Sequence, residues 1–485
     1  MMKLGSIING QERNEDSRET LAVTNPYTNE KVAELKLAVK KDLDDAVAAS
    51  YETFHSVMKR MPAYERADIL RKAADLLVEK AHDFAINISM EAGKPIKYCH
   101  SEVERSIQVL RFASELAKNI NGETLPMDAA IGGEHRIGIV KREPLGVVGA
   151  ITPFNFPLNL SLHKLAPALA AGNTVVFKPA EKTPVSAYML VKLFQEAGLP
   201  DGIINLLIGT GDEVGSPLVT HNNVHKISFT GSLAVGKKIR ETAGFKKVTL
   251  ELGSNSPNII FADADLEEAA TQLVKGAFSF SGQVCISAQR IYVQKDIYKP
   301  FLNSYIEKTQ ALTIGDPSKD ETDIGPMINE EEAKRAKQWI DDAVSKGAVI
   351  ETGGKRIGPV LTPTIMTNVD KNMKIIAQEV FAPIVSIIPF ETEEEVVNYS
   401  NDSIYGLQAG VFTNDINRAL RVADRLEMGG VWINDISTYR QDNHPYGGVK
   451  QSGVGREGVK YAIEDMTEMK FIGIKIKEQS KNSNP

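Results

Sequence analysis

The sequence predicts an α/β protein in which parallel β-sheets are covered by helices. From Leu145 onward, short apolar runs such as VVGAIT and NTVVFKP alternate with amphipathic segments such as SAYMLVKLFQEAG. Strands separated by helices of about ten residues are typical of parallel βαβ units. A second series of the same kind begins near Ser256 with NIIFAD. We therefore expect two α/β units in succession.

The region before residue 120 is predicted to be helical. Ile69, Ala73, Leu76, Leu77 and Lys80 follow the helical period, with charges on the other faces. This periodicity indicates that the chain opens with helices before the α/β series begins.

Two further strands stand apart from both series. HRIGIVKR, residues 135–142, alternates like a strand that projects from its domain and follows a turn at Gly132 and Gly133. MKFIGIKIK near the end of the chain alternates in the same way. Such strands need an edge to join, so they predict either a sheet between subunits or an intramolecular hairpin.

Composition narrows the class of protein. A chain of 485 residues is too long for one core, so we expect two or three domains. The net charge of −7 gives no reason to expect nucleic acid or an anionic membrane as a partner. Two cysteines cannot form a disulfide framework, and the opening MMKLGSIING lacks the apolar core of a signal peptide. With no apolar run of about 18 residues, a cytoplasmic protein is the expectation.

Two strand ends carry side chains suited to a nucleotide. Lys178 and Glu181 in KPAEKTP follow a strand, and each is either a solvated loop charge or a ligand contact, since ligands lie beyond the carboxyl ends of parallel strands. Thr230, Gly231 and Ser232 in FTGSLAVG end a strand before a helix. Backbone N–H groups and a hydroxyl at a helix start suit a pyrophosphate.

A glycine-rich segment, GTGDEVG at 209–215, resembles a dinucleotide fingerprint. Its glycines are spaced one residue too far apart for the usual phosphate turn. We therefore interpret it as a loop from a strand to a helix.

Four other residues are candidates for chemistry, each with a structural alternative. Cys285 in GQVC is a nucleophile or a small apolar filler of the core. Glu251 and Glu379 lie beside apolar residues, where a carboxylate must be paired, solvated or used. Asn155 lies between two prolines, so that its side-chain amide either donates to an oxyanion or closes the loop.

The order of the motifs is more specific than any one of them. Along the chain they run ITPFNFPL, KPAE, FTGS, LELG, GQVC, EVFAP and PYGGVKQSG. In this order they resemble the NAD(P)-dependent aldehyde dehydrogenase superfamily, over nearly the whole chain from NPYTNE at 25–30 to the terminal strand. The pair LELG and GQVC is the most specific element, and it favours a catalytic Cys285.

The resemblance implies an aldehyde dehydrogenase-like α/β fold: a Rossmann-type parallel-sheet cofactor domain, an α/β catalytic domain and a β-strand oligomerisation arm. It also implies a homodimer or homotetramer. The predicted bounds are an NAD-binding domain at 1–122 and 143–252, a catalytic domain at 253–450, the arm at 123–142 and 466–478, a return segment at 451–465 and a tail at 479–485.

The resemblance also implies residue roles. Cys285 would attack the aldehyde to give a thiohemiacetal and then a thioester, Asn155 would stabilise the oxyanion with the Cys285 N–H, and Glu251 would activate the hydrolytic water. Glu379 would hold the nicotinamide ribose. The other implied cofactor contacts are Phe381, Lys178, Glu181, Thr152, Pro153, Thr230, Gly231 and Ser232. NAD is expected, because a 2′-phosphate would face Glu181, with NADP as the alternative; no metal is implied.

Two positions depart from the family pattern. Ser254 stands where the family usually has the second glycine of LELGG, near the nicotinamide, where it would crowd or shift the cofactor. Cys99 in KYCH matches no family site, and we interpret it as a structural or a partly exposed thiol.

Three rival functions follow from the same residues. A CoA-acylating enzyme of the family would pass the thioester to CoA, but that branch generally lacks the base that Glu251 matches. A cofactor-independent cysteine hydrolase would need a histidine partner for Cys285, and none of the eight histidines lies in a recognisable partner motif. A catalytically idle family member is disfavoured by the intact Asn155, Glu251 and Cys285.

Basic residues at three tunnel positions predict the substrate. By their spacing Arg105, His163 and Arg440 fall at the family's aldehyde tunnel, although each also has a structural or surface reading. The guanidiniums of Arg105 and Arg440 can bind an oxyanion through paired hydrogen bonds, and His163 would add a third donor. The pattern resembles members acting on phosphonate- or sulfonate-bearing aldehydes, although Val284 rather than an arginine precedes Cys285. We expect sulfolactaldehyde, phosphonoacetaldehyde or succinate semialdehyde, with a neutral hydroxyaldehyde such as lactaldehyde as the alternative.

Overall fold

The structure of the chain is a computed structural model that describes residues 2–477. Its α-helices are α1 (Lys40–Ser56), α2 (Ala63–Glu79), α3 (Ala81–Ala92), α4 (Ile96–Ala117), α5 (Asn159–Ala171), α6 (Pro184–Glu196), α7 (Ser216–Thr220), α8 (Leu233–Thr242), α9 (Leu266–Phe278), α10 (Tyr298–Gln310), α11 (Glu330–Ser345), α12 (Lys374–Ala377), α13 (Glu393–Asn401), α14 (Ile416–Arg425) and α15 (Val459–Asp465).

The strands are β1 (Met2–Leu4), β2 (Ser6–Ile8), β3 (Gln11–Arg13), β4 (Thr20–Thr24), β5 (Lys31–Lys36), β6 (Glu123–Leu125), β7 (Arg136–Pro144), β8 (Val147–Ile151), β9 (Thr174–Lys178), β10 (Ile204–Leu206), β11 (Lys226–Thr230), β12 (Lys247–Glu251), β13 (Pro257–Ile260), β14 (Arg290–Gln294), β15 (Val349–Thr352), β16 (Arg356–Ile357), β17 (Val360–Leu361), β18 (Thr364–Thr367), β19 (Ile384–Phe390), β20 (Gln408–Phe412), β21 (Gly430–Ile433), β22 (Gly453–Val454) and β23 (Thr467–Lys475).

The first α/β unit is an eight-stranded sheet in the order β22-β12-β11-β8-β9-β10-β2-β3. Strands β8 to β12 are mutually parallel, so their carboxyl ends meet at one edge. Every residue of α5 is buried, because that helix lies between the sheet and the N-terminal helices. The open edge at the strand ends is where a ligand of such a sheet binds.

The second unit is a seven-stranded sheet in the order β15-β18-β19-β14-β13-β20-β21. All of its strand pairs are parallel except β15 with β18. The chain passes from the first sheet to the second between β12 and β13, over residues 252–256. The α/β fold is thus confirmed, while the domain bounds given above stay a prediction.

The two separate strands pair with each other. β23 runs antiparallel to β7 from Thr467 opposite Pro144 to Lys475 opposite Arg136, and β6 joins the other side of β7. The pairing within one chain is therefore the hairpin-like alternative, and it leaves β23 at an edge. The predicted tail at 479–485 and the last residue of the predicted arm lie outside the described residues.

The prediction of a helical start was wrong for residues 2–36, a segment that contains the strands β1 to β5. β2 and β3 are a hairpin closed by Asn9 and Gly10, with φ of 48° and 77°. Asn-Gly supplies the two positive φ values that such a turn needs. Strands of three residues are too short to show a periodicity, and only this dipeptide signals them.

Residues 2–477 contain neither a membrane-spanning helix nor a metal-binding cluster. Within this part of the chain no helix combines the length and apolar character needed to cross a bilayer. Nor do three or more His, Cys, Asp or Glu side chains gather there in a way that could hold a metal ion.

Candidate active site

Cys285 lies in the segment between α9 and β14, after a turn with unusual backbone. Phe280, Ser281 and Gly282 have φ of 48°, 54° and 67°. A side chain at Gly282 would overlap the backbone carbonyl of Ala382, so this position requires glycine. Gly282 therefore lets the segment that carries Cys285 pack closely against Ala382, just before β19 of the second sheet.

The thiol of Cys285 has one polar neighbour of note, the hydroxyl of Tyr446, 3.1 Å from Sγ. Burial raises the pKa of the thiol to about 11, against which the Tyr446 hydrogen bond and the charge of Arg440 act. The thiolate is the nucleophilic form of cysteine, so these two groups favour the reactive state.

Asn155 points its side chain at the cysteine segment. Its Nδ2 donates to the carbonyl oxygen of Gln283 at 2.8 Å, two residues before Cys285. Its Oδ1 is buried and has no hydrogen-bond partner among the described residues. The predicted oxyanion donor and the predicted nucleophile thus lie on adjacent segments.

A buried ion pair holds the backbone of this asparagine. Lys94 Nζ donates to Glu102 at 2.6 Å and to the carbonyl of Asn155 at 3.1 Å. The other oxygen of Glu102 accepts the backbone N–H groups of Leu158 and Asn159, at the start of α5. Neither Lys94 nor Glu102 was among the residues predicted from the sequence.

Glu251 ends β12 and is buried, with no hydrogen-bond partner for either carboxylate oxygen among the described residues. Burial, and next the charge of Glu457, raises the pKa of Glu251 well above its ordinary value. A side chain at Gly447 would lie 2.8 Å from Oε1 of Glu251, so glycine there leaves room for the carboxyl group. A carboxyl group must be deprotonated to act as a base, so burial opposes the active form of Glu251.

Glu379 reaches the loop that follows β12. It accepts the backbone N–H of Ser254 at 3.1 Å and packs so closely on Gly253 that a side chain there would overlap its carboxylate. Burial raises the pKa of Glu379 to about 7, against the hydrogen bond from Ser254. Phe381 lies edge-on to Phe154, with ring centroids 6.0 Å apart.

Ser254 and Cys99, the two departures from the family pattern, are both buried. The Ser254 side chain is buried, and its hydroxyl lies 3.1 Å from that of Ser256. Its effect on a cofactor stays a prediction. Cys99 is fully buried, with Sγ close to the carbonyls of Lys94 and Pro95, so it is structural and the partly exposed alternative is wrong.

A cavity of about 250 Å³ lies at the carboxyl ends of β8, β9 and β11. The predicted cofactor contacts in its lining are Thr152, Pro153, Lys178, Glu181, Thr230 and Gly231, and its apolar wall is formed by Ile151, Val219, Phe229, Val235 and Ile239. Lys178 Nζ donates to Glu181 at 2.9 Å, while Ser232 caps α8 by accepting the N–H of Val235 at 3.4 Å. An apolar slot with a carboxylate and a helix start at its rim fits an adenosine and its phosphates.

The GTGDEVG segment also reaches this cavity. Gly211 and Gly215 line it, within a single π-helical turn at Gly211–Gly215. Lys238 of α8 lines it too, and was not predicted from the sequence. The loop therefore lines the cavity, although its glycines do not have the spacing of a phosphate-binding turn.

The three basic residues predicted for the substrate tunnel all meet buried acids that sequence reasoning missed. Arg105 donates to Asp442 at 2.6 Å, and His163 Nε2 lies 2.7 Å from the same Asp442 oxygen. Arg440 donates to Glu457 at 3.1 Å. Burial opposes ionisation, but His163 and Arg105 hold the pKa of Asp442 well below its usual range.

The surroundings of His163 bear on its predicted role as a third donor. Burial lowers the pKa of His163, and its Nε2 faces Asp442. Its Nδ1 is buried and without a hydrogen-bond partner among the described residues. One ring nitrogen is thus occupied by Asp442, and the role of His163 toward a substrate stays a prediction.

A second buried cation completes this network. Lys164 Nζ donates to Glu457 and to Thr230 Oγ1, both at 2.7 Å. Despite burial, Lys164 and Arg440 lower the pKa of Glu457 to about 2. In this network the three cations Arg105, Arg440 and Lys164 outnumber the two carboxylates of Asp442 and Glu457, so the network carries a net positive charge.

The fold and the relatives of this chain define an aldehyde-oxidising enzyme that uses a nicotinamide cofactor. Residues 13–472 match the profile of the aldehyde dehydrogenase family, and the chain belongs to that family. It is 48% identical over 468 residues to a 3-sulfolactaldehyde dehydrogenase of Priestia aryabhattai, covering 96% of this chain and 97% of the relative.

Two further relatives come from Methanocaldococcus jannaschii. A lactaldehyde dehydrogenase is 43% identical over 460 residues, covering 94% of this chain and 97% of the relative. The crystal structure of a glyceraldehyde-3-phosphate dehydrogenase complexed with NADP superposes with a TM-score of 0.91 at 42% identity, covering 95% of this chain and all of that one. Family membership and the aldehyde dehydrogenase activity predicted from the motifs are confirmed.

Proposed function

We propose that this enzyme oxidises a short aldehyde with an anionic far end, a sulfonate above all, to the carboxylic acid with NAD. The observation that carries the proposal is the net positive network, which reaches Cys285 through Arg440 and the ring of Tyr446. The similarity to a 3-sulfolactaldehyde dehydrogenase supports the same substrate class. Arg105 keeps donors for an anion, because Asp442 occupies only its Nε and Nη2 among the described contacts and its side chain is 29% exposed.

In the proposed reaction the Cys285 thiolate attacks the aldehyde carbon and forms the carbon–sulfur bond of a thiohemiacetal. Negative charge moves from sulfur to the aldehyde oxygen. Asn155 exchanges its bond to the Gln283 carbonyl for this oxygen, and the Cys285 N–H is proposed as the second donor. Lys94 and Glu102 fix the backbone around Asn155, so the side-chain amide needs little reorganisation to reach the oxyanion.

Glu251 acts in the second half of the proposed reaction. NAD, when bound, supplies the acceptor for the hydride that leaves the thiohemiacetal. The thioester on Cys285 is then opened by a water whose proton Glu251 takes. The glycine at 447 leaves room for this carboxyl group.

The cofactor preference rests on Glu181. Its carboxylate at the rim of the cavity can accept hydrogen bonds from both ribose hydroxyls and repels a 2′-phosphate. The M. jannaschii relative was crystallised with NADP, so activity with NAD and with NADP should be compared directly. We expect a higher kcat/KM with NAD than with NADP; equal values would contradict the assignment.

A neutral hydroxyaldehyde is the second candidate. Arg105 and Arg440 already have a carboxylate partner each, which weakens their pull on an anion. The 43% identity to a lactaldehyde dehydrogenase points the same way.

We also propose a homodimer or homotetramer formed through the arm, and a cytoplasmic location. β23 is an edge strand with exposed apolar side chains at Met469, Phe471, Ile472 and Ile474, as expected of a strand that meets another subunit. Both cysteines are free thiols, which suits a reducing compartment. Sedimentation analysis tests the first proposal, and a monomer would contradict it.

The test of the activity is NADH formation at 340 nm with a panel of aldehydes that includes sulfolactaldehyde, phosphonoacetaldehyde, succinate semialdehyde, lactaldehyde and propanal. We expect the anionic aldehydes to be turned over best. Cys285→Ala should abolish turnover and leave cofactor binding intact. No NADH from any aldehyde, together with hydrolysis of an ester or thioester substrate, would instead indicate a hydrolase.

A further inference from the structure

The hydroxyl of Tyr446 is the polar group placed to touch the reacting sulfur. It lies 3.1 Å from Cys285 Sγ, and Tyr446 is 3% exposed in a small apolar cluster with Ile286 and Leu407. Burial, and next the Cys285 charge, raises the pKa of Tyr446 well above its ordinary value. The phenol therefore keeps its proton, and toward a thiolate it can only donate.

A cation packs against the ring of Tyr446. The guanidinium of Arg440 lies 3.6 Å from the ring centroid. Arg440 is in turn anchored by Glu457 at 3.1 Å. A cation over an aromatic face is attracted to the ring and draws electron density from it, which makes the hydroxyl a better donor.

We propose that Tyr446 donates a hydrogen bond to the Cys285 thiolate, and that Arg440, anchored by Glu457, positions the Tyr446 ring and strengthens that bond. The proposal rests on the proposed role of Cys285 as nucleophile. Tyr446 is then a catalytic residue, since it touches the reacting atom, and Arg440 is a positioning residue. When the carbon–sulfur bond forms, charge leaves the sulfur and the Tyr446 bond weakens as Asn155 takes up the oxyanion.

The geometry separates this role from mere packing. A phenylalanine at 446 keeps the ring, its stacking with Arg440 and its place among Ile286 and Leu407, and removes only the hydroxyl.

The neighbouring Tyr439 provides a matched control. Its hydroxyl accepts from Gln441 Nε2 at 3.0 Å, in the same loop, and it is 38% exposed.

The experiment measures the rate at which iodoacetamide alkylates Cys285 as a function of pH, in the full-length enzyme without aldehyde or cofactor. Cys99 is fully buried, and peptide mass spectrometry separates the two thiols. We expect Tyr446→Phe to move the profile to higher pH by about one to two units, the size of a hydrogen bond to a charged group. Tyr439→Phe should leave the profile unchanged.

Arg440→Gln tests the positioning role. It should shift the profile in the same direction, and the double variant with Tyr446→Phe should shift it by less than the sum of the two. A Tyr446→Phe profile equal to that of the wild type would overturn the hydrogen bond, and strict additivity would overturn the action of Arg440 through Tyr446. Because no aldehyde is present, a shift seen in an enzyme that rejects every anionic aldehyde would separate this proposal from the substrate assignment.

Discussion

The Nδ2 of Asn155 donates a 2.8 Å hydrogen bond to the carbonyl oxygen of Gln283, two residues before Cys285. Asn155 follows β8 of the first sheet, whereas Gln283 precedes β14 of the second. One amide therefore bridges the two α/β units at the point where the thiol lies. An oxyanion formed on Cys285 has only to replace the Gln283 carbonyl as acceptor.

This relationship predicts the effect of Asn155→Ala. Removing one oxyanion donor should lower kcat by about a hundredfold to a thousandfold, with a much smaller change in KM, because the interaction is made in the transition state. Steady-state kinetics with saturating NAD measures the split. Asn159→Ala, four residues on in α5, provides a control for disturbance of the helix start. A rise in KM at constant kcat would refute the oxyanion role.

Glu251→Gln should separate the two halves of the reaction. Without a base, thioester hydrolysis slows more than hydride transfer, so rapid mixing should show a burst of NADH followed by slow turnover. The burst amplitude should approach one equivalent per active site. If both phases slowed together, Glu251 would act before the thioester rather than after it.

The pKa shifts of the site set the direction of its pH dependence. The pKa of Cys285 is raised to about 11 and that of Glu251 well above its ordinary value, each chiefly by burial. Both groups must be deprotonated to act, so activity should be low in acid and rise through neutral to alkaline pH. A kcat profile at saturating NAD and aldehyde checks this. A profile that falls over that range would mean that a protonated group carries the rate-limiting step.

Arg105→Ala should weaken the binding of an anionic aldehyde. Loss of a charged hydrogen bond of about 1.5–3 kcal/mol corresponds to a rise in KM of roughly tenfold to a hundredfold, with little effect on neutral aldehydes. Arg111→Ala on the same helix, where the side chain is exposed, is the matched control. Equal losses with charged and neutral aldehydes would instead mark the Arg105–Asp442 pair as structural.

The parts of the site that the sequence could predict are those that lie at strand ends or in short motifs. Lys178, Glu181 and Thr230 end or follow parallel strands, and the topology alone brings such positions to one edge. The lining of the cavity at that edge agrees with this reasoning. Their assignment as cofactor contacts stays a prediction.

What the sequence could not predict are the partners of each charge. Asp442 lies 337 positions from Arg105 and 279 from His163, and no periodicity links such distant residues. Asp442 occupies Nε2 of His163, so one of the two ring nitrogens already has a partner within the protein. The contact between Tyr446 and Cys285, 161 positions apart, is of the same kind, although Tyr446 stands in the PYGGVKQSG motif.

The central claim, a preference for an anionic aldehyde, is tested most directly by one comparison. The kcat/KM for 3-sulfolactaldehyde should be measured beside that for lactaldehyde, with NAD at the same pH and low ionic strength. A net positive network that reaches the thiol through Arg440 and Tyr446 predicts a value at least about tenfold higher for the sulfonate, the worth of one charged contact. A kcat/KM for lactaldehyde equal to or above that for 3-sulfolactaldehyde would contradict the account.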